Sequence, residues 1–348
     1  MNVTQLGKLC KGLRFVFRTR LTLPWSLRAT MHRISRGHTP ILVGPWLSEV
    51  GFELLYWIPF VRRLFHDYAI TPERVIVVSR GGTLPWYCDV AKGYFEILDH
   101  VSPPEFAERN KQREQRTGGK RQLAVSDFDR HIVQLAAERL GLRRFDLVHP
   151  AWMYELFGAF WCGWMDVHRL MAMCEHQPIT ERLDRPKGLP FSGSYAAVKF
   201  YFSDCFPDTE ANRRFVRQII TRVSRAMPVV LLNTGLQLDD HRDAGPDGPE
   251  MVFDASHLMK PANNLTVQTA LVAHADVLFC TYGGFSYLGP LLGKPTFSFW
   301  SEPNFVSSHL QVAHEALNKR AKGRLVVMPT DSLDLLWEWH AKVHGHAA

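Results

Sequence analysis

A glycine-rich turn, Thr281–Tyr287 (TYGGFSY), is the segment of the sequence whose residue types best fit ligand chemistry. It follows an apolar run, Val277–Cys280, and precedes a helical pattern, Phe285–Leu292. Adjacent glycines lack Cβ atoms, so a ligand can approach their backbone closely. The free N–H groups and the dipole of the following helix favour an anion such as a diphosphate, and the Thr281 and Ser286 hydroxyls can add donors. The alternative is a tight turn that needs glycine for its own conformation.

Polar residues also stand at other strand ends. Lys199 interrupts the apolar and aromatic pattern 196–202, where a lysine either snorkels at a sheet edge or reaches into a cleft to meet a phosphate. Arg80, just before Gly81-Gly82, is a second phosphate candidate of this kind. Asn233 ends another strand pattern, and His241 follows it in an Asp-rich loop, so both are candidates to face the same ligand.

No metal site is predicted. The loop that holds His241 has clustered Asp residues but no regular ligand spacing, which is typical of a solvated loop. The sequence Asp127-Phe128-Asp129 has the D-x-D form that holds metal-bound nucleotide diphosphates elsewhere, but it falls at the start of a helical pattern, where acidic residues cap routinely. The sequence therefore indicates neither a metal nor a bound cofactor.

The elements that must position these residues follow an α/β pattern. From Pro40 onward, short β-branched runs alternate with amphipathic helical stretches, which is typical of parallel sheets whose ligands bind beyond the carboxyl ends of the strands. The predicted strands are 41–43, 75–78, 145–148, 196–202, 229–233, 251–254, 277–280, 296–299 and 325–328. The predicted helices are 48–65, 127–140, 208–226, 264–274, 285–292, 305–320 and 332–343. Segment 103–122 is expected to be an exposed loop or a frayed helix.

The pattern divides the chain into two Rossmann-like units, residues 39–185 and 190–330. The stretch Thr180–Ser194, rich in Pro, Gly and charge, is the expected linker between them. Residues 1–38 form a basic amphipathic segment, and residues 331–348 form a C-terminal helix. The aromatic residues of segment 151–176 either line a cleft or pack in the core.

The distribution of charge excludes a general nucleic-acid binder. The 348 residues carry a formal net charge of +7, but eight basic side chains lie in residues 1–38, before the first acidic residue, Glu49. The rest of the chain holds 33 Lys and Arg against 34 Asp and Glu, so the globular body is close to neutral. The six cysteines are scattered, which favours reduced thiols in a cytoplasmic protein, and no apolar run is long enough to span a membrane.

The basic N-terminal segment has one apolar helical face, with Leu6, Leu9 and Leu13, and one basic face, with Lys11 and Arg14. Such helices bind anionic membrane surfaces, which predicts a peripheral protein on the inner face of the cell membrane. The alternatives are a helix docked on its own protein and a targeting or nucleic-acid arm. We expect residues 1–38 to be dispensable for the fold.

The run ADVLFCTYGGFSYLGPLLGKPTFSFW at 275–300 resembles the donor-binding strand, loop and helix of GT-B glycosyltransferases. In heptosyltransferase-like members it reads approximately D-T-G-L-x-H-L-A-A-A-L-G-K-P. Matching positions are held by Gly284, Leu288, Leu292, Gly293, Lys294 and Pro295, whereas Tyr282 and Tyr287 stand where the family has Asp and His. The segments GPWLSEVGFELLYWIPF and QTALVAHADVLFCTYGG are similar to bacterial glycosyltransferase-like proteins of surface-polysaccharide synthesis, a group that includes capsule and lipopolysaccharide pathways.

The resemblance implies an α/β, GT-B-like fold of two facing Rossmann-like domains with parallel sheets. It further implies a metal-independent glycosyltransferase that moves a sugar from a nucleotide-sugar to a glycan or lipid-linked acceptor. Glu49 is then the expected catalytic base, with Glu53 in reserve, and Arg80 and Trp46 are candidates to contact the acceptor or a phosphate. The expected donor-binding residues are Lys199, Asn233, His241, Thr281, Tyr282, Gly283, Gly284, Ser286 and Tyr287.

Two other functions fit the same pattern. One is a non-catalytic GT-B-like subunit that binds a glycan or nucleotide and scaffolds polysaccharide assembly. The other is a nucleotide-sugar epimerase. Whether a transferase of this sequence inverts or retains the anomeric configuration stays open, and Glu49 acts as base only in the inverting case.

Overall fold

The computed structural model describes residues 23–236, 242–244, 251–305, 307–318 and 323–333. Its helices are α1 (Leu23–Arg36), α2 (Val50–Phe52), α3 (Ile58–Asp67), α4 (Pro103–Thr117), α5 (Asp127–Arg139), α6 (Ala151–Trp161), α7 (Val167–Ala172), α8 (Glu210–Ser224), α9 (Asn264–His274), α10 (Gly284–Leu291) and α11 (Ser307–Ala313). Its strands are β1 (Ile41–Val43), β2 (Val75–Ser79), β3 (Gly93–Glu96), β4 (Asp146–Val148), β5 (Ala196–Lys199), β6 (Tyr201–Phe202), β7 (Val229–Leu231), β8 (Arg242–Asp243), β9 (Val252–Asp254), β10 (Val277–Thr281), β11 (Thr296–Trp300) and β12 (Leu325–Pro329).

The N-terminal half is built on a parallel sheet of four strands in the order β3-β2-β1-β4. Its central strand β1 is fully buried, as expected for an Ile-Leu-Val run covered on both faces. The runs that predict β1, β2 and β4 are confirmed. Strand β3 was not predicted, because Gly93 and Glu96 interrupt its apolar character.

The C-terminal half is built on a parallel sheet of six strands in the order β12-β11-β10-β5-β7-β9. The single strand expected over 196–202 is two strands. β5 belongs to the large sheet, whereas β6 leaves it and pairs antiparallel with β8. The α/β class with two parallel sheets is confirmed.

Segment 103–122 corrects the prediction of a loop or frayed helix, because most of it is helix α4. The Ser102 side chain accepts the Glu105 N–H at its start, and Gly118 ends it in the left-handed conformation (φ 78°). Helix α5 begins with a capping box between Ser126 and Asp129, so the second acid of the D-x-D sequence has a structural partner.

The expectation that residues 1–38 are dispensable for the fold is not met for their second part. Helix α1 buries Met31 and Ile34 completely, and Arg33 Nη1 lies 2.6 Å from Asp146 Oδ1 at the start of β4. Residues 1–22, which carry the predicted amphipathic face, lie outside the described residues. So do residues 334–348, which include most of the predicted C-terminal helix.

The two halves share one apolar core. A single cluster of buried side chains includes Trp57 and Trp86 of the N-terminal half and Leu265, Leu271 and Tyr287 of the C-terminal half. Residues 174–195 connect the halves without helix or strand. The cysteines among the described residues carry free thiols. Because the strands of both sheets end towards the junction of the halves, the loops that follow them meet there.

Candidate functional site

A cleft of about 880 Å³ lies where loops from the two sheets meet. From the N-terminal half it is lined by the turn 49–52, Tyr56, Arg80 and the loop 118–121. From the C-terminal half it is lined by Lys199, the segment 201–205, Asp243, the turn 282–285 and His309. Three of these segments follow strands, which is the usual place for a ligand in open α/β sheets: the turn 49–52 follows β1, Arg80 follows β2 and the turn 282–285 follows β10. The loop 118–121 instead follows helix α4.

The glycine-rich turn touches the opposite half of the molecule. A Cβ atom on Gly284 would lie 2.8 Å from the Gly51 backbone nitrogen, and one on Gly51 would lie 3.0 Å from the Gly284 Cα. Gly283 has φ +157°, and a Cβ there would lie 2.0 Å from the Tyr201 hydroxyl oxygen. The close approach of protein groups therefore explains why these positions need glycine, and the turn joins the halves at the cleft.

The two hydroxyls beside this turn are used within the protein. Thr281 Oγ1 donates to the Tyr201 carbonyl (2.8 Å) and accepts the Tyr201 N–H (3.0 Å), so it ties β10 to β6. Ser286 Oγ accepts the Gly283 N–H at 2.9 Å. Both side chains are fully buried. They shape the glycine-rich turn and do not line the cleft.

Tyr282 and Tyr287 line the cleft and contact each other. The Tyr287 hydroxyl donates to the Tyr282 hydroxyl at 3.4 Å. Burial raises the pKa of Tyr282 to about 12 and raises that of Tyr287 well above its ordinary value, so both phenols stay protonated at neutral pH. The residues that replace the family's Asp and His are therefore neutral.

Lys199 reaches the cleft and is paired there. Its Nζ lies 2.5 Å from Asp243 Oδ1 and donates to the Leu232 carbonyl at 3.0 Å. Asp243 Oδ2 accepts the Thr234 N–H at 2.8 Å, so one carboxylate joins the ends of β5, β7 and β8. Asn233, which follows β7, donates to the carbonyl of Ala244 (3.1 Å), the residue after β8, and so adds a second link between these two segments. His241 lies outside the described residues.

Glu49 is the acidic residue of the N-terminal half that lines the cleft. It is the residue before α2, yet its side chain makes no capping hydrogen bond to that helix. Its carboxylate instead lies 3.1 Å from Lys120 Nζ, with 30% of the side chain exposed. The side chain is therefore directed to the cleft, and helix capping does not account for it.

Glu53 and Trp46 lie in the core and do not line the cleft. Glu53 Oε1 accepts the Tyr87 hydroxyl (2.7 Å) and the Ser79 hydroxyl (2.8 Å), and burial raises its pKa to about 7. Trp46 is stacked between Trp57 and Tyr154. Their sequence positions beside Glu49 do not bring them to the same surface.

Arg80 lines the cleft although only 5% of it is exposed. Its Nη2 donates to the Ser48 carbonyl at 2.9 Å, and its guanidinium lies over the Phe106 ring. The two N–H groups that follow it, of Gly81 and Gly82, are occupied by the Glu96 carboxylate. The glycine pair of this turn therefore holds a protein anion.

Sequence reasoning missed the loop that brings Lys120 and Arg121 to the cleft. Arg113 of α4 donates to the carbonyls of both residues, at 3.0 and 3.4 Å. The buried amide of Gln122 then anchors the end of the loop. Ser102 and Gly118, the caps of α4, were the signals in the sequence that a helix leads into this loop.

The aromatic residues of segment 151–176 mostly pack in the core and do not line the cleft. Tyr154 and Phe157 are buried, and Trp161 lies behind Arg121, whose guanidinium carbon is 4.3 Å from its ring centroid. The Tyr56 ring lies beside Trp161, and its hydroxyl oxygen lies 2.5 Å from His309 Nδ1. His309 was not predicted, because nothing near it in the sequence marks it.

A scan of protein-family models and a search of curated proteins find no match for this chain. Solved structures similar to it include Escherichia coli ADP-heptose lipopolysaccharide heptosyltransferase II (12% identity, 83% of this chain and 90% of that chain, TM-score 0.41). A family 9 glycosyl transferase from Veillonella parvula is 14% identical over 90% of this chain and 91% of that chain, with TM-score 0.45. Escherichia coli heptosyltransferase WaaC with ADP is 13% identical over 87% of this chain and 98% of that chain, with TM-score 0.39.

Among the described residues, no group of three or more His, Cys, Asp or Glu side chains is placed to hold a metal ion. No helix in the same part of the chain has the length and apolar character needed to cross a membrane.

Proposed function

We propose that the protein is a glycosyltransferase that moves a sugar from a nucleotide-sugar to a glycan or lipid-linked acceptor in cell-surface polysaccharide synthesis. The observation that carries the proposal is that Glu49 and the glycine turn line the same cleft. Glu49 comes from the N-terminal half and faces the cleft, and Gly51, two residues later, touches Gly284 of the opposite half. A carboxylate and the N-terminus of a helix, suited to a base and a diphosphate respectively, thus share one cleft.

The donor diphosphate is placed at the start of α10. The first N–H groups of that helix and its dipole favour an anion, and the Gly283 N–H is already satisfied by Ser286. Lys199 Nζ lies 5.8 Å from the Phe285 ring centroid, beside this helix end. Asp243 orients the lysine, which then shares its positive charge between that carboxylate and the diphosphate.

The reaction assigned to the cleft is a single displacement at the anomeric carbon. The Glu49 carboxylate accepts the proton of the acceptor hydroxyl while that oxygen forms a bond to the anomeric carbon. The bond from the anomeric carbon to the diphosphate oxygen breaks, and the nucleoside diphosphate leaves with the electron pair. One displacement inverts the configuration. Lys120 holds the carboxylate in place.

The acceptor and the cellular location follow from the N-terminal segment. The basic residues of 1–38 would bring the protein to an anionic membrane surface, on the cytoplasmic side, where lipid-linked glycans are assembled. In the described part of this segment, Trp25 at the start of α1 is 70% exposed. An exposed tryptophan beside basic residues suits the interface between water and lipid.

The test is nucleotide release with a panel of nucleotide-sugars, ADP-linked sugars among them, and of sugar acceptors. We expect Glu49→Gln to lower turnover at least about 100-fold while leaving nucleotide binding unchanged. The matched control is Glu73→Gln, because Glu73 is exposed and away from the cleft. Retention of configuration in the product would remove the role of Glu49 as base.

Two outcomes would replace the proposal. Nucleotide binding without turnover for any pair would favour a scaffold subunit, a function consistent with the use of Thr281 and Ser286 within the protein. Conversion of the donor sugar without any acceptor would indicate an epimerase.

A further inference from the structure

His309 links the two halves of the molecule at the cleft. It lies on α11, yet its ring contacts aromatic residues of the N-terminal half, with centroid distances of 5.0 Å to Phe52, 5.4 Å to Tyr56 and 6.3 Å to Trp161. Its Nδ1 lies 2.5 Å from the Tyr56 hydroxyl oxygen. Phe52 follows Glu49 on the same turn, so the histidine stands beside the proposed base.

The direction of this hydrogen bond can be derived from burial. Tyr56 is 1% exposed, so its hydroxyl hydrogen needs an acceptor inside the protein. Among the described residues, His309 Nδ1 is the acceptor within reach. If the histidine donated instead, the hydroxyl hydrogen would be buried without a partner, which costs on the scale of a lost hydrogen bond. The neutral imidazole therefore carries its proton on Nε2.

The charges that face this pair keep the imidazole neutral. Burial first, and then Arg121 from the loop 118–121, lower the pKa of His309 to about 4. Burial raises the pKa of Tyr56 far above its ordinary value, with smaller effects from Trp161 and Arg121, which lower it, and from Tyr282 and Cys174, which raise it. At neutral pH, His309 is therefore an uncharged hydrogen-bond donor and a poor base.

Among the described residues, the remaining donor of this ring has no partner. His309 lines the cleft, and its Nε2 forms no hydrogen bond with any described residue. We propose that His309 determines acceptor specificity by donating Nε2–H to an uncharged oxygen, a hydroxyl or ring oxygen, of the acceptor sugar. This assignment rests on the proposed transferase function. Tyr56 is the positioning residue, because it fixes which nitrogen of the imidazole carries the proton.

The acceptor side of the cleft is assigned for two reasons. His309 faces the turn 49–52, which carries Glu49, the proposed base that the acceptor hydroxyl has to reach. The Phe52 ring beside it offers an apolar surface to the face of a sugar ring. A neutral donor next to an aromatic ring suits a hydroxylated ring.

The protonation state is tested by nitrogen NMR on full-length protein labelled with ¹⁵N-histidine. His309→Gln assigns the signal among the 16 histidines, and His131→Gln, at an exposed position on α5, is the control. We expect His309 to show the neutral Nε2–H form without titration between about pH 5.5 and 8.5. Tyr56→Phe should abolish the preference for this form. A signal from the Nδ1–H form, or titration near pH 6.5, would overturn the assignment.

Ligand recognition is tested on the same labelled protein and by kinetics. Methyl glycosides of common hexoses and heptoses are titrated while the His309 Nε2–H resonance is followed, and at least one should shift it. In turnover assays, His309→Phe keeps the aromatic packing but removes the donor. It should raise the KM for the acceptor roughly five- to twentyfold and leave the KM for the donor unchanged.

The outcomes separate this inference from the proposed function. Absence of turnover by the wild type would contradict the transferase function, and the glycoside titration would still decide whether His309 binds a sugar. Turnover in which His309→Phe leaves the acceptor KM unchanged, or a titration in which no glycoside moves the resonance, would reject the role of His309.

Discussion

Two carboxylates on one short segment have opposite environments. Glu49 and Glu53 are four residues apart, yet Glu49 faces Lys120 in the cleft and Glu53 is fully buried against Tyr87 and Ser79. The π-helical turn that begins at Glu53 directs that residue and the following four into the core. The same residue type is therefore suited to catalysis at the first position and to a structural role at the second.

The buried Glu53 is predicted to make the free energy of unfolding depend on pH. Burial raises its pKa from 4.5 to about 7 in the folded protein. Between those values the folded state holds a proton that the unfolded state releases, so the free energy of unfolding falls as the pH rises through this window. The contribution of Glu53 amounts to roughly 3 kcal/mol, all of it lost above pH 7. Glu53→Gln should remove this dependence.

The measurement is urea unfolding of wild type and Glu53→Gln at pH 5 and pH 8. The wild type should lose more stability between these pH values than the variant does, whereas Glu73→Gln should behave as the wild type. An equal loss in wild type and Glu53→Gln would show that Glu53 does not titrate in this range.

At the scale of elements, the sequence was most informative where the interactions are local. Strands β1, β2 and β10 were predicted because each is a run of apolar residues, mostly β-branched in β1 and β2, bounded by polar or turn-forming ones. Helix α4 was predicted only as an exposed loop or a frayed helix, because its surface is almost entirely polar and its caps, not its periodicity, define it.

Tertiary contacts account for what the sequence could not predict at the site. The glycine turn was located correctly, but the partner that requires Gly284, the backbone of Gly51, is more than 200 residues away. His309 likewise acquires its role only through Tyr56 of the opposite half. Residues whose neighbours come from distant segments carry no local signal of the contact.

Gln122, at the end of the loop 118–121, is predicted to stabilise the fold through its buried amide. It is fully buried, and its amide makes four hydrogen bonds, to Pro45, Leu47, Ser48 and Asp129. It thereby ties the loop of Lys120 to the turn that leads into Glu49. Gln122→Ala leaves several of these buried groups without partners and should cost about 2–4 kcal/mol of stability.

Denaturant unfolding of Gln122→Ala is the measurement, with Gln134→Ala as the control because Gln134 is exposed on α5. A stability change under 1 kcal/mol in both variants would mean that water replaces the lost partners at no cost.

A second prediction at the scale of elements concerns the contact between Gly51 and Gly284, which should leave no room for a side chain at position 284. Gly284 needs no left-handed backbone, so alanine there is opposed by space alone. Its Cβ would lie 2.8 Å from the Gly51 nitrogen and would push α10 away from α2. We expect Gly284→Ala to cost about 1–3 kcal/mol and to weaken nucleotide binding. Gly193→Ala, whose Cβ meets nothing within 4 Å, should do neither.

The result that would contradict this prediction is unchanged stability and unchanged nucleotide binding in Gly284→Ala. In that case the two backbones would have room to separate without loss of the cleft.

At the scale of the whole molecule, the two halves are joined by hydrogen bonds as well as by the contact between Gly51 and Gly284 at the cleft. Trp86 Nε1 donates to Thr269 Oγ1 at 2.9 Å, and the Leu265 N–H at the start of α9 donates to the Gly81 carbonyl at 2.8 Å. The shared core cluster adds apolar contact between the same regions. A two-unit pattern read from the sequence therefore folds into halves that stabilise each other, with the candidate site formed by both.

The last prediction concerns membrane binding, because the net charge of +7 is concentrated in the N-terminal segment. Deleting residues 1–22 removes five basic side chains (Lys8, Lys11, Arg14, Arg18 and Arg20) and should strongly weaken sedimentation with anionic vesicles at low salt while leaving the unfolding midpoint unchanged. Deleting residues 1–38 also removes Met31, Ile34 and the Arg33–Asp146 pair, so this variant should lose several kcal/mol of stability. Neutral vesicles are the control, because the attraction is electrostatic. Equal vesicle binding with and without residues 1–22 would contradict this prediction and would assign membrane binding to helix α1 or to the rest of the protein.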